Sequence, residues 1–265
     1  MFQRDTGRLP RSPLSQPKPQ AVCAPMREYL IFQLVAAIGA MGEFGGHDRR
    51  GTLSLPGRSA VIGTLGAALG RRRDQPFADL EQLDIAVASF GRSAPLRDYH
   101  TVQTVPSAAV KAPQSRPEAL REAAGNDKLN TTLTSRDYRC DCVFGVAVSG
   151  GDLPGLARAL QRPAFQVYLG RKSCPLSAPF DPRIVAADNP ARALTQLRLP
   201  PWIGARQMIE IVADEGTDLD APARQETRHD RAIDRGLWHF GKGRYSVAHP
   251  EVNAAMVQDP GEGAP

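Results

Sequence analysis

The chain has 265 residues, 42% of them apolar, and a formal charge of +5 with an isoelectric point near 9.2. That length supports one large domain or two small ones with a real core, and the mild basicity admits a nucleic acid as partner without requiring one. The most apolar run, Tyr29 to Met41, is too short for a membrane-spanning helix and carries Gln33, and residues 1–25 lack the apolar h-region of a signal peptide.

Residues 1–25 read as a disordered extension dominated by proline, arginine, serine and glutamine. Met26 opens a different text and is expected to be the natural start, with a dispensable arm as the alternative. Tyr29 to Val35 predicts a strand. Leu30, Phe32 and Leu34 fall on one face, and Tyr29, Ile31, Gln33 and Val35 on the other, so both faces are apolar and the strand is central. A loop with Gly39, Gly42, Gly45, Gly46 and Gly51 follows. It lacks the Gly-Lys-Ser/Thr ending of a nucleotide-binding P-loop, and G-x-G-x-x-G is absent. Pro56-Gly57-Arg58-Ser59 then predicts a helix start with Ser59 as N-cap and Ile62, Leu65 and Leu69 as its buried stripe. Gly63, Gly66 and Gly70 weaken this helix, which calls for close packing on a sheet. Arg58 beside a helix N-terminus predicts an anion site; the competing reading is one exposed arginine. Arg71-Arg72-Arg73 reads as a solvated C-terminal end.

Leu83 to Phe90 is a second predicted strand. Residues 91–137 are polar, poor in large apolar groups and too long for a routine connection, so a protruding hairpin or lobe is expected. Arg97-Asp98-Tyr99-His100-Thr101-Val102 lies on its ascending arm and Thr131 to Arg139 on its descending arm. Cations interleaved with an aromatic suit a nucleic-acid backbone and its bases. Cys142 to Val148 predicts a strand, Asp152 or Leu153 to Leu160 a helix with Leu156 and Leu160 on one face, and Phe165 to Leu169 another strand. The order is strand, helix, strand, strand, helix, strand: an α+β, ferredoxin-like pattern over residues 26–180 with an insertion at about 91–137. Residues 181–250 read as a small C-terminal β region, with a strand at Gln207 to Val212 and a hairpin folded at Gly241-Lys242-Gly243. Residues 251–265 read as a disordered tail.

The chemistry concentrates in Tyr168-Leu169-Gly170-Arg171-Lys172-Ser173-Cys174-Pro175-Leu176. Gly170 lets another backbone approach closely, Arg171 and Lys172 place two cations at the opening, and Pro175 is expected to stop ladder pairing. A polyanion is the simplest partner for such a turn; an ordinary strand end with solvated charges is the alternative. The cations are mostly arginine, whose planar fork suits phosphate, although a GC-rich genome yields the same bias. Cys23, Cys140, Cys142 and Cys174 lack zinc-ligand spacing and read as small buried hydrophobes of a reducing cytoplasm. Among His47, His100, His229, His239 and His249, His100 has the most suggestive neighbours, Arg97, Asp98 and Tyr99, with a polar loop histidine as the favoured competing reading. With Tyr99 and Lys172, His100 could support metal-free RNA cleavage. Strand neighbours point to opposite faces, however, so Tyr99 and His100 cannot share one site. Asp137 and Asp141 lack a third partner for two-metal chemistry.

Taken together these motifs resemble the CasD family, a subunit of the CRISPR surveillance complex Cascade of subtype I-E. The matching pieces are Met26 to Ile31, Pro56 to Ser59 running into Leu65-Gly66-Ala67-Ala68-Leu69-Gly70, Leu96 to Val102, Tyr138-Arg139-Cys140-Asp141, and Tyr168 to Leu176. The C-terminal third matches loosely and residues 1–25 have no counterpart. The resemblance implies a modified RNA-recognition-motif (ferredoxin-like) body with a protruding β-hairpin thumb. It also implies an antiviral role, without catalysis: gripping the 5′ handle of the guide RNA (crRNA) beside the helical backbone subunits and the large subunit. From the residue spacings above, no cofactor or metal is expected. By position the resemblance carries RNA contact onto Arg58, Ser59, Arg97, Tyr99, His100, Arg139, Gly170, Arg171, Lys172 and Ser173. Aromatic RNP motifs are missing, so recognition by backbone, shape and splayed bases is expected. A metal-free endoribonuclease that processes precursor RNA is the alternative.

Overall fold

A computed structural model describes residues 25–250, save 44, 47, 220, 221 and 238. The expectations for residues 1–24 and 251–265 lie outside the described residues. Strand β1 (Arg27–Gly39) is an interior strand, paired along both edges, as its two apolar faces require. Leu30, Phe32, Leu34 and Ala36 enter one core. Tyr29, Ile31 and Val35 enter a second core on the other side. Burying side chains of this size contributes about 1.5–3 kcal/mol each, so β1 anchors two layers at once.

The other elements are β2 (Arg49–Arg50), α1 (Arg58–Ala68), β3 (Asp84–Phe90), β4 (Ala94–Thr104), α2 (Arg116–Gly125), β5 (Asn130–Ser149), α3 (Leu153–Gln161), β6 (Arg183–Ala187), α4 (Pro190–Leu194), β7 (Met208–Asp214), β8 (Arg224–Asp234) and β9 (His239–Ala248). The fold is mixed α/β with a mostly antiparallel sheet, ordered β6-β1-β5-β3-β7-β9-β8, and β2 and β4 pair with β5 off this path. Val61, Ile62 and Leu65 of α1 and Leu153, Leu156 and Leu160 of α3 cover the β1 face that carries Leu30. Ala193 and Leu194 of α4, with Leu197 and Leu199, cover the other.

Strand β5 has 20 residues and two jobs. Its second half pairs with β1 and β3 inside the body. Its first half pairs with β4, as a hairpin, and with β2. Asp141 sits at the joint with φ +55°. The lobe beyond the hairpin holds α2, whose Ser115 cap accepts the Glu118 amide at 3.4 Å.

Several expectations change. Phe165 to Leu169 is no strand. The amides of Ala164 and Phe165 donate to Ala68 and Ala67, so this segment closes the C-terminal end of α1 instead. The outer strand beside β1 is β6. Pro175 bridges Tyr168 rather than ending all pairing. Ser59 is not the N-cap of α1; Gly57 is, with no side-chain cap of its own. Leu69 leaves the stripe at 36% exposure, and of the helix glycines Gly63 faces open space while Gly66 packs on Phe77. Arg71 is drawn into a two-pronged pair with Asp79 rather than standing in solvent. Finally, Gly241 to Gly243 lie within β9, and β8 turns into β9 before them.

Candidate nucleic-acid interface

The basic turn docks on the end of β1. Gly170 has φ +83°, and a Cβ there would stand 1.5 Å from the Ala40 carbonyl oxygen, so only glycine fits. Leu169 donates to Cys174 at 2.8 Å and accepts from Ala40 at 3.1 Å, which fixes the turn against the glycine-rich loop. Arg171 then reaches into the fold. Its Nη1 donates to the Asp137 carbonyl at 3.2 Å and its Nη2 to the Arg50 carbonyl at 3.1 Å. The β2–β5 ladder ends at Arg50 and Arg136, so the guanidinium joins the two strands where backbone pairing stops. It also stacks 4.5 Å above the Tyr138 ring. Lys172 and Ser173 stay exposed beyond it.

Alternation along β5 turns Asp137 to the opposite face from Tyr138. Asp137 accepts Nε and Nη2 of Arg49 at 2.9 and 2.7 Å, and Nε and Nη2 of Arg97 at 2.7 and 3.3 Å. The acid is the covered member: its side chain is 13% exposed, against 60% for Arg49 and 45% for Arg97. Hydrogen bonds from Arg97 and then Arg49 hold its carboxyl down to about 2. Tyr99 lies on the same strand face as Arg97 and is 70% exposed. Arg139, two residues on from Asp137, donates Nε to the Ser93 hydroxyl at 3.0 Å and Nη2 to the Ser93 carbonyl at 2.9 Å.

Residues 135–139 of β5 are therefore where several of the sequence-named residues gather. Arg97, Tyr99 and Arg139 approach from one face, and Arg171, with Lys172 and Ser173 beside it, from the other. Gly170 makes the approach possible. Tyr99 and His100 do point apart, and His100 pairs with Asp98 along its own face. Arg58 is not part of this surface and is a correction to the expected anion site. Its guanidinium is 2% exposed and ion-paired to Asp214, and it donates to the carbonyls of Leu83 at 2.9 Å and Glu81 at 2.7 Å. No phosphate reaches it. Ser59 beside it is only the second residue of α1.

Arg49 was not among the sequence candidates. The Asp48-Arg49-Arg50 run within the glycine-rich loop was its only signal, and its partner Asp137 lies 88 residues away. Burial pushes the Cys142 thiol up to about 12, so it is no nucleophile. Among the described residues no His, Cys, Asp and Glu group could hold a metal ion, and no helix is long and apolar enough to cross a membrane.

A basic cluster at the foot of a hairpin, on a mostly antiparallel sheet, invites comparison with known RNA-guided systems. The family model described as CRISPR-associated protein (Cas_Cas5) matches residues 29–245. The chain belongs to the CRISPR-associated Cas5 family. It is 32% identical over 186 residues to the CRISPR system Cascade subunit CasD of Escherichia coli (strain K12), covering 64% of this chain and 76% of that relative. A chain of a CRISPR RNA-guided surveillance complex superposes with a TM-score of 0.63 at 27% identity, over 88% of this chain and 95% of that one. A Cas protein crystal structure shares the fold, with a TM-score of 0.59 at 22% identity over 88% and 100% of the two chains. The Cas5 match spans both cores and the hairpin, from β1 to β9.

Proposed function

We propose that this chain is a subunit of a Cascade surveillance complex and that it grips the 5′ handle of the guide RNA for antiviral defence. The body is read as ferredoxin-like, supported by the β6-β1-β5-β3 order with α1 and α3 on one face, and the β4–β5 hairpin is read as the thumb. The observation that carries the reading is the gathering of Arg49, Arg97 and Arg139 on one face of residues 136–139, with Arg171 and Lys172 on the other. Lys172, Ser173, Tyr99, His100 and Arg97 are the proposed RNA contacts; Arg171 and Gly170 hold the turn that presents them. The backbone subunits and the large subunit are the proposed protein neighbours, and the cytoplasm the place of assembly. The role is non-catalytic, which the divergence of Tyr99 and His100 supports.

The test is to incubate labelled CRISPR repeat RNA with the purified protein in chelator. Intact RNA on a denaturing gel, with a shift on a native gel, is the expected result. A discrete cut would replace this reading with an endoribonuclease and make His100 and Lys172 the next targets. Lys172→Ala is expected to lower RNA affinity roughly evenly across sequences and to reduce the salt slope by about 1 or less, as loss of a single phosphate contact does.

A further inference from the structure

We propose that Arg49, Arg97 and Asp137 form a preorganised phosphate clamp, in which Asp137 is a positioning residue and the two arginines grip one phosphodiester of single-stranded RNA with Tyr99 against the adjoining base. The inference rests on the RNA-binding reading above and sharpens it to named atoms.

Both arginines engage Asp137 through the Nε–Nη2 edge. A guanidinium held by that edge keeps its remaining donors turned away from the carboxylate. Two such forks meet on one covered acid, and both arginines stay accessible to solvent, Arg97 with Tyr99 hydrogen-bonded beside it. The charges sum to +1, which one phosphodiester neutralises. Long flexible arginines ordinarily lose rotamer freedom on binding; here the carboxylate has already ordered both. The surroundings favour a nucleotide over an acidic peptide. Tyr99 stands beside Arg97 at 70% exposure, and Leu133, diagonal to it across the β4–β5 ladder, is 63% exposed. A flat apolar step next to a two-arginine fork suits a base and its phosphate.

Asp137 gives the test its sign. If it merely dilutes positive charge, removing its charge strengthens RNA binding. If it positions the clamp, removal weakens binding. The probe is a fluorescein-labelled single-stranded RNA of the CRISPR repeat from the same genome, titrated by anisotropy at several salt concentrations against the full-length protein. Arg49→Ala is expected to lower affinity on the order of tenfold and to reduce the salt slope by about 0.7, the value for one single-strand phosphate. Asp137→Asn is expected to lower affinity several-fold, with Asp137→Glu restoring part of it, and far-UV circular dichroism confirms that each variant is folded. Tighter binding by Asp137→Asn overturns the clamp. So does unchanged RNA affinity in Arg49→Ala, including the case where that variant instead loses co-assembly with other complex subunits, which would make the arginines a protein contact. A wild-type protein that binds no RNA removes the RNA-binding reading itself, a result distinct from binding that these variants leave unmoved.

Discussion

Arg58 carries a full charge where water is excluded, and strands far along the chain make that tenable. Asp214 from β7 takes its guanidinium, and Asp230 from β8 accepts its backbone amide at 2.8 Å. Burial raises the Asp214 carboxyl while Arg58 opposes the rise. Removing one partner of a buried pair strands the other, which costs about 3–5 kcal/mol. Arg58→Ala is therefore expected to lower the unfolding free energy measured in urea by that amount, while RNA affinity of the folded variant stays at the wild-type value. Lost affinity at unchanged stability would return Arg58 to the RNA surface. Gly170 allows a second test. Alanine there would combine a left-handed backbone, which disfavours an L side chain by about 1–2 kcal/mol, with a collision at the Ala40 carbonyl. Gly170→Ala is expected to lose at least about 2 kcal/mol in the same assay. A neutral result would mean that the turn can leave β1 freely.

At the scale of elements, local patterns were legible where one segment carried its own signal. The doubly apolar β1, the strand β3 and the Asp152-capped α3 follow from alternation and capping alone. The sequence reading has no helix at α2, although Ser115-Arg116-Pro117-Glu118 carries a start signal, where Glu118 also accepts the Gln114 amide at 3.0 Å. The polarity of residues 91–137 hid it. Phe165, Val167 and Leu169 alternate as a strand does, but the carbonyls at the end of α1 took the amides of Ala164 and Phe165, where the segment begins. The hairpin foot holds a prediction of its own. Asp137 titrates near 2 in the fold, below its ordinary 3.8. A depressed carboxyl stabilises above its unfolded value, and the contribution is lost as pH falls through the folded one. Wild type is thus expected to exceed Asp137→Asn in urea midpoint by a constant margin above about pH 5. The margin should close between about pH 4 and 2. A margin independent of pH would show that the pair with Arg49 and Arg97 contributes nothing to holding the hairpin.

For the molecule as a whole, what could not be read was which distant segments meet. The sequence pattern separates residues 181–250 from the body, yet β7 lies beside β3 and continues the same sheet. Likewise Arg97 and Lys172 were legible as basic motifs, while Arg49 entered the cluster only through a two-residue parallel pairing with β5. Asp230 joins the C-terminal strands to the body most directly. Its carboxylate serves the first amide of α1 and the Tyr245 hydroxyl from β9, and burial, with Asp230 beside it, raises the Tyr245 hydroxyl above its ordinary value. Gly57 gives it room, since a Cβ there would approach Asp230 Oδ2 to 2.7 Å; the cap that α1 lacks locally arrives from β8. Asp230→Ala would leave both donors unpaired, at about 1–3 kcal/mol each. If the β8–β9 pair and the body stand or fall together, that loss appears as one shifted urea transition, with tryptophan fluorescence and far-UV circular dichroism superimposing. Tyr245→Phe, which removes one donor and leaves the helix cap, should shift the same transition less. Two separated transitions in Asp230→Ala would mean that the C-terminal strands unfold on their own, and that the continuous sheet is two cooperative units.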